Sequence, residues 1–231
     1  MVDVFARASL CYLTNRCDEG FRLVYDSLRI SSEKISLNWE EQEVFCFLSM
    51  NLLEKRYQSW LKLTHLLTKS TGFVEHQSIE SYIETIRNEM ILYSDQIFDL
   101  VQNHFLVTSK QESIFYLNLQ GDIHFYLSQI SKFNTKLQHF HSSLRFYNRS
   151  LQISPENISA VYNKALLFIL ITEEYDRARD LLTNTIDEFE KKQIPNGELR
   201  SLQNYLQNKL LDFHFVEPST IVKQNNHQTN R

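Results

Sequence analysis

Apolar residues recur every three to four positions along most of this chain, which is the period of an amphipathic α-helix. The pattern predicts about nine helices, and the third and fourth of them, near 39–69 and 73–105, are long for a globular protein. The other predicted helices cover residues 3–16, 19–31, 111–131, 135–153, 155–172, 174–192 and 197–214. Residues 216–231 are polar and aperiodic, so we expect one helical domain over residues 1–215 followed by a disordered tail.

Several helix ends carry recognisable signals. Asn38 followed by Glu41 forms a capping-box pattern at the start of the third helix. Ser154-Pro155 supplies an N-cap residue followed by Pro at the first helical position, which predicts that the seventh helix opens there. The first two helices are expected to form a short antiparallel pair that is broken near Cys17–Gly20.

The composition agrees with an all-α protein. The chain has only 4 Gly and 3 Pro in 231 residues, whereas 42% of its residues are hydrophobic, so turn residues are scarce and core residues ample. The net charge is −4 with scattered Lys and Arg, which gives no basic surface for nucleic acid. The longest apolar run, Ala165–Ile171, is too short to span a bilayer, and the N-terminus lacks a signal-type segment. We therefore predict a cytoplasmic protein with no membrane partner.

The residues that carry metal or enzyme chemistry form no recognisable constellation. Cys11, Cys17 and Cys46 lack metal spacing and are predicted to be buried thiols. His139 and His141 lie two apart, so on a helix they point in different directions. The sequence has no Gly-rich phosphate loop and no nucleophile elbow. We predict no metal, no cofactor and no enzymatic activity.

The segment QESIFYLNLQGDIHFYL, residues 111–127, combines aromatic residues at helical spacing with Gly121-Asp122 inside a strong helix pattern. Glycine inside a helix costs about 1 kcal/mol against Ala, so a close packing contact is expected at Gly121. This segment, KRYQSWLKLTHLLTKSTG (55–72), SYIETIRNEMILYSDQIFDLV (81–101) and the stretch from Pro155 to Ala178 together resemble 14-3-3 proteins, in the same order. The resemblance implies a nine-helix antiparallel cup.

The resemblance also implies a dimer formed through the first four helices, here most simply a homodimer. Arg16 and Glu89 match an ion pair across that dimer. The second such pair keeps Glu19 but has Thr85 where the family has Lys. The apolar dimer contacts of the family correspond here to Leu10, Ser59, Leu63, Leu66 and Tyr82.

In the family, one Lys and two Arg hold the phosphate of a phosphoserine or phosphothreonine segment. Those three positions are Met50, Tyr57 and Phe125 in this sequence. The Tyr position and the two Asn positions that hold the peptide are kept as Tyr126, Asn163 and Asn208, and Leu211 keeps an apolar wall position. Loss of three cations corresponds to about 5–9 kcal/mol if each bond to a charged group contributes about 1.5–3 kcal/mol. That loss lowers affinity by a factor of about 10³ or more.

Two neighbours are candidates to replace the missing cations. Arg56 adjoins Tyr57, although one residue on a helix is a rotation of about 100°. His124 adjoins Phe125 and carries charge at low pH. The sequence leaves open whether either of them contacts phosphate.

The resemblance therefore predicts a non-enzymatic adaptor that binds extended segments of partner proteins, of phosphopeptide-binding ancestry but with an altered phosphate clamp. One alternative keeps the fold and places an unphosphorylated or apolar peptide, or the chain's own tail, in the groove. A second alternative is a tetratricopeptide-like scaffold, because residues 147–185 resemble about one and a half such repeats.

Overall fold

The structure, a computed structural model, describes the backbone of residues 2–31 and 33–214 and the side chains of residues 4–31, 33–204, 206 and 207. Within these residues the chain forms nine α-helices. They are α1 Val2–Leu13, α2 Cys17–Arg29, α3 Trp39–Lys69, α4 Phe73–Asp99, α5 Lys110–Ile130, α6 Phe133–Ile153, α7 Ile158–Leu167, α8 Tyr175–Lys191 and α9 Gly197–His214. The predicted all-α class is confirmed.

Two helices end in a π-helical turn that periodicity did not predict. The turn Leu100–His104 follows α4, and the turn Phe168–Thr172 follows α7. After the second turn Glu173 takes a left-handed conformation with φ 56°, and the backbone N–H of Glu174 donates to the carbonyl of Phe168 at 2.8 Å. These wider turns satisfy carbonyls at the helix ends that regular bonding would leave without a donor.

The chain divides into two compact units, Met1–Pro155 with α1–α6 and Glu156–Arg231 with α7–α9. The prediction of one domain over residues 1–215 stays a prediction, and the predicted tail, residues 216–231, lies outside the described residues.

Aromatic rings form the centre of the first unit. The buried ring of Phe21 lies 6.5 Å from that of Phe45 and 5.9 Å from that of Tyr93. Phe45 meets Phe105 edge-on at 4.9 Å, and Phe105 stacks on Tyr116 at 5.6 Å. Such pairs stabilise by about 0.5–1.5 kcal/mol beyond the area they bury. This chain of rings joins α2, α3, α4 and α5 into one core.

Gly121 lies on α5 against the ring of Tyr147 on α6. A Cβ atom built on Gly121 would stand 2.5 Å from Cε1 and 2.8 Å from Cδ1 of that ring. The hydroxyl of Tyr147 donates to Oδ1 of Asp122 at 2.6 Å, and Ser143 Oγ donates to the carbonyl of Gly121 at 2.7 Å. The close contact expected at Gly121 is therefore confirmed, and Asp122 holds the same tyrosine.

The second unit has a simpler core. Small and branched residues of α7 and α8 pack with leucines of α9, and the buried members include Ala160, Ala165, Leu182, Ile186 and Leu206. The guanidinium of Arg177 lies 4.3 Å from the centroid of the Phe168 ring. Arg177 thereby covers the π-helical turn that follows α7.

Two predicted helix boundaries are wrong. Ser154 does not cap α7, because its backbone N–H bonds back to the carbonyl of Ser150 and ends α6. Asn157 caps α7 instead, with its side chain accepting from the N–H of Ala160. A turn through Pro155 therefore separates the two helices, and α7 begins three residues later than predicted.

The break between α1 and α2 also lies earlier than predicted. It falls at Asn15, whose φ is 59°, so Cys17 and Gly20 both belong to α2. Gly20 is required by packing, since an added Cβ would lie 2.9 Å from atoms of Cys11 and of Leu48. In contrast, the Asn38–Glu41 capping box at the start of α3 is confirmed in both directions.

Candidate peptide-binding site

One face of α3 carries Met50, Glu54 and Tyr57. Their spacings of four and three residues place the three side chains side by side along the helix. All three are half-buried, and Met50 and Tyr57 pack against the core of the first unit. This face holds the positions at which the resemblance implies a Lys and an Arg.

Helix α5 contributes Phe125 and Tyr126 beside that face. The ring of Tyr57 meets that of Tyr126 edge-on at 5.3 Å and stacks on Trp60 at 6.0 Å. Phe125 lies 6.0 Å from Tyr126. We call Tyr57, Trp60, Phe125 and Tyr126 the aromatic cluster. The structure thus brings Tyr57 of α3 and Tyr126 of α5 together, with Met50 on the same face of α3 and Phe125 next to Tyr126 on α5.

Sequence reasoning missed Glu54, whose carboxylate lies at this site. The hydroxyl of Tyr126 donates to its Oε2, and Gln58 Nε2 donates to its Oε1 at 2.7 Å. None of the ion pairs among the described side chains includes Glu54. Its position four residues after Met50 and three before Tyr57 was the signal that could have revealed it.

Burial and nearby carboxylates raise the pKa of both tyrosines at the site. Burial raises the pKa of Tyr57, and the nearby charge of Glu54 adds to the effect. Burial also raises the pKa of Tyr126, followed by its hydrogen bond to Glu54 and by the charges of Glu54 and Asp122. Both hydroxyls therefore stay protonated and act as donors. Glu54 accepts the hydrogen bond of Tyr126, the tyrosine that the resemblance places at the phosphate.

Trp60 of the aromatic cluster and the neighbouring Gln129 each carry a buried donor. The indole Nε1 of Trp60 and the amide Nε2 of Gln129 have no acceptor among the described residues. The hydroxyl of Tyr57 donates to Gln129 Oε1 across 3.5 Å, which is a long contact.

Arg56, a predicted substitute for the clamp, is engaged within the chain. Its Nη2 bonds Asp18 of α2 at 2.7 Å, and its Nε bonds Glu89 of α4 at 2.9 Å. The guanidinium also lies 4.3 Å from the centroid of the Tyr93 ring. Only 16% of its side chain is exposed. These contacts tie Arg56 to α2 and α4 and weigh against a role in holding phosphate.

His124, the other candidate, is paired with a second histidine. Its Nδ1 lies 3.0 Å from Nδ1 of His139 on α6, and its ring lies between Phe98 and Phe146 at centroid distances of 4.9 and 5.6 Å. Burial lowers its pKa to about 4, and the charges of His139 and Arg145 add to the effect. An imidazole that is neutral near pH 7 supplies no positive charge to a phosphate.

These two histidines line a cavity of about 510 Å³ between α4, α5 and α6. Asp95 of α4 and Arg145 of α6 are the charged residues of its lining. Burial lowers the pKa of His139, and the charge of Asp95 opposes that effect. The side chain of His124 thus belongs to this cavity rather than to the aromatic cluster.

The remaining predicted contacts belong to the second unit. Asn163 lies on α7 and is half-buried. Asn208 and Leu211 lie on α9, but their side chains are outside the described residues. The role of these three residues stays a prediction.

The predicted dimer residues include large exposed apolar side chains. Leu10 is 62% exposed and Tyr82 is 67% exposed, while Leu66 and Ser59 are also exposed and Leu63 is half-buried. The predicted cross-dimer ion pair is differently arranged in the single chain. Arg16 pairs with Glu19, its neighbour on the next turn, and Glu89 pairs with Arg56.

Over the residues that the structure describes, no group of three or more His, Cys, Asp or Glu could hold a metal ion. None of the helices in that part of the chain is long and apolar enough to cross a membrane.

The described residues thus form nine α-helices, with a half-buried tyrosine, Tyr126, on α5 against Tyr57 of α3. The sequence model of the 14-3-3 protein family matches residues 7–204. Protein BMH2 of Saccharomyces cerevisiae is 24% identical over 193 residues, which cover 78% of this chain and 71% of that protein. The 14-3-3 protein beta/alpha-B of Xenopus laevis is 24% identical over 181 residues, 71% of this chain and 74% of that protein.

A plant relative, 14-3-3 protein 3 of Solanum lycopersicum, is 26% identical over 172 residues, 69% of this chain and 65% of that protein. The chain therefore belongs to the 14-3-3 family. Members of this family are non-enzymatic adaptors that bind partner proteins, and this chain is such an adaptor.

Proposed function

We propose that this adaptor binds partner segments without reading phosphate. The observation that carries the proposal is the hydrogen bond from Tyr126 to Glu54. In the family that tyrosine helps to hold the phosphate, whereas here a carboxylate of the chain itself accepts from it. The three cation positions beside it are Met50, Tyr57 and Phe125.

The charge of Glu54 lowers the affinity for phosphate further than the loss of the three cations alone. A phosphoryl group carries about −1.5 to −2 charges at neutral pH. Two like unit charges 4 Å apart repel by about 4 kcal/mol at an effective dielectric constant of 20. A phosphate beside Glu54 therefore meets repulsion, and Met50, Tyr57 and Phe125 supply no cation to offset it. An uncharged segment escapes that repulsion.

The test compares two degenerate peptide libraries that differ only in a fixed central phosphoserine or serine, bound to the full chain. We expect no enrichment of the phosphoserine library. A second protein carries Met50→Lys, Tyr57→Arg, Phe125→Arg and Glu54→Gly and serves as the control in which phosphate reading is rebuilt.

The control variant should prefer the phosphoserine library, provided that its circular dichroism matches the parent. A variant with the same three cations but with Glu54 retained should show a weaker preference. A clear preference of the unaltered chain for phosphoserine would refute the proposal.

Two alternatives, the chain's own tail in the site and a tetratricopeptide-like scaffold, can be distinguished from binding of partner segments without phosphate. If residues 216–231 occupy the site, truncation after Phe215 raises the affinity for unphosphorylated peptides, and an unchanged affinity excludes that occupant. A tetratricopeptide scaffold fits less well, because α3 and α4 have 31 and 27 residues whereas such a repeat holds two helices in about 34 residues.

We further propose that the chain forms a homodimer through α1–α4, supported by the exposure of Leu10 and Tyr82. Sedimentation of the variant Leu10→Asp/Tyr82→Asp should give a monomer, with Phe133→Asp as the control. Phe133 is 75% exposed but lies at the start of α6, outside the predicted interface. A monomeric parent chain at micromolar concentration would contradict the proposal.

A further inference from the structure

Glu54 and the aromatic cluster together have the chemistry of a site for a cation. A carboxylate and the faces of Tyr or Trp rings both attract Lys and Arg, the first by ion pairing and the second through the ring quadrupole. At this site, Glu54 lies next to Tyr57 and Tyr126, and Trp60 stacks on Tyr57.

The carboxylate of Glu54 retains capacity for a further partner. An ionised carboxylate offers about four acceptor positions. Two donors use it here, the hydroxyl of Tyr126 and the amide of Gln58. The remaining lone pairs are sufficient for the two parallel N–H donors of a guanidinium.

The chain's adjacent cations are engaged elsewhere. Lys55 Nζ bonds Oδ1 of Asn15 at 2.6 Å, and Arg56 bonds Asp18 and Glu89. Among the described side chains, Glu54 is therefore half-buried without an internal counter-ion. A partner that brings a cation would supply that counter-ion.

Resting on the proposed function, we propose that this site binds a Lys or Arg side chain of the partner segment, at the place where the family binds a phosphorylated residue. This site would then bind a positively charged group where the family binds a negatively charged one. The tyrosine hydroxyl orients Glu54 instead of contacting an anion, and the rings provide faces for the methylene groups and the charge of the incoming side chain.

The experiment uses the full chain and five degenerate peptide libraries with a fixed central residue: arginine, lysine, citrulline, serine or phosphoserine. Citrulline has the shape of arginine but no charge, so the ratio of arginine to citrulline binding isolates the charge. We expect a ratio of about ten at low salt, falling as the ionic strength rises.

The decisive variant is Glu54→Gln. Its amide oxygen can still accept from Tyr126, so the local geometry is kept while the charge is removed. The arginine preference should fall to about unity in this variant. Glu43→Gln removes an equal charge from an exposed position of the same helix and should leave the preference unchanged.

The outcomes separate this inference from the proposed function. Equal binding of arginine and citrulline libraries overturns the cation site but leaves phosphate-independent binding intact. A preference for phosphoserine overturns both. An arginine preference that survives Glu54→Gln, or no enrichment of any library, also overturns the cation site. Titrating tryptophan fluorescence in a Trp39→Phe background, where Trp60 is the remaining tryptophan, locates the bound peptide at the cluster.

Discussion

Replacing Gly121 by Ala favours the helical conformation of α5 but places a methyl group against the buried ring of Tyr147. Ala is favoured over Gly by about 1 kcal/mol inside a helix. The new Cβ, however, would stand 2.5 Å from Cε1 of Tyr147, a distance that real Cβ contacts essentially never show. The ring is fully buried and its hydroxyl is bonded to Asp122, so it cannot move aside without losing that bond.

The expected cost follows from these contacts. Overpacking a core costs about 1–3 kcal/mol, and a hydrogen bond to a charged group contributes about 1.5–3 kcal/mol. After the gain in propensity is subtracted, Gly121→Ala should destabilise the first unit by about 3 kcal/mol. For a chain of this size, that loss lowers the melting temperature by about 6–12 °C.

Urea denaturation followed by circular dichroism measures this change. Gly197→Ala is the matched control, because nothing lies within 4 Å of a Cβ at that position. It should change stability by less than about 0.5 kcal/mol. The double variant Gly121→Ala/Tyr147→Leu should be more stable than the sum of the single variants predicts. A Gly121→Ala protein as stable as the parent would refute the packing argument.

Three further predictions concern the charged and polar contacts. Because the pKa of His124 is lowered from 6.5 to about 4, the folded state binds fewer protons than the unfolded state, so stability should fall by about 2 kcal/mol as pH drops from 6.5 to 4. The parent-minus-variant difference for His124→Gln isolates that slope, and a difference that is flat with pH would contradict it. Arg56→Met should cost about 2 kcal/mol in urea denaturation by removing two ion pairs and a cation–π contact, and should leave binding of the serine library unchanged; a change in that binding would place Arg56 in the site. Asn38→Ala should cost about 1 kcal/mol through loss of the α3 cap, and an unchanged urea midpoint would count against the capping box.

Periodicity and capping chemistry predicted most of the helices, because both are local. The capping box at Asn38 and the bounds of α9 follow from residues a few positions apart. The start of α7 was misplaced because Ser154-Pro155 and Asn157 both fit a cap, and sequence alone does not rank them. The π-helical turns were not predicted, because each covers only five residues. Over so short a stretch the apolar pattern does not distinguish a π-helix from an α-helix.

The sequence predicted that Met50 and Tyr57 share one face of α3, but not the hydrogen bonds around them; that these residues bind a partner stays a prediction. The spacing of Met50 and Tyr57 placed them on one face of α3, and the structure packs both against the core of the first unit. The pairing of Arg56 with Asp18 and Glu89 joins residues 38 and 33 positions away, so it depends on tertiary packing. The role of Glu54 was not predicted, because its bond to Tyr126 joins residues 72 positions apart and depends on tertiary packing.

The internal ion pair of Glu89 with Arg56 has a consequence for subunit choice. In a dimer formed through α1–α4, a carboxylate already neutralised inside its own protomer exerts little pull on a charge of the other copy. The same holds for Arg16, which is paired with Glu19. Charged residues would then discriminate only weakly between partner subunits that differ in surface charge. Selection of a subunit would depend on how well the exposed apolar side chains, such as Leu10 and Tyr82, fit the opposing surface.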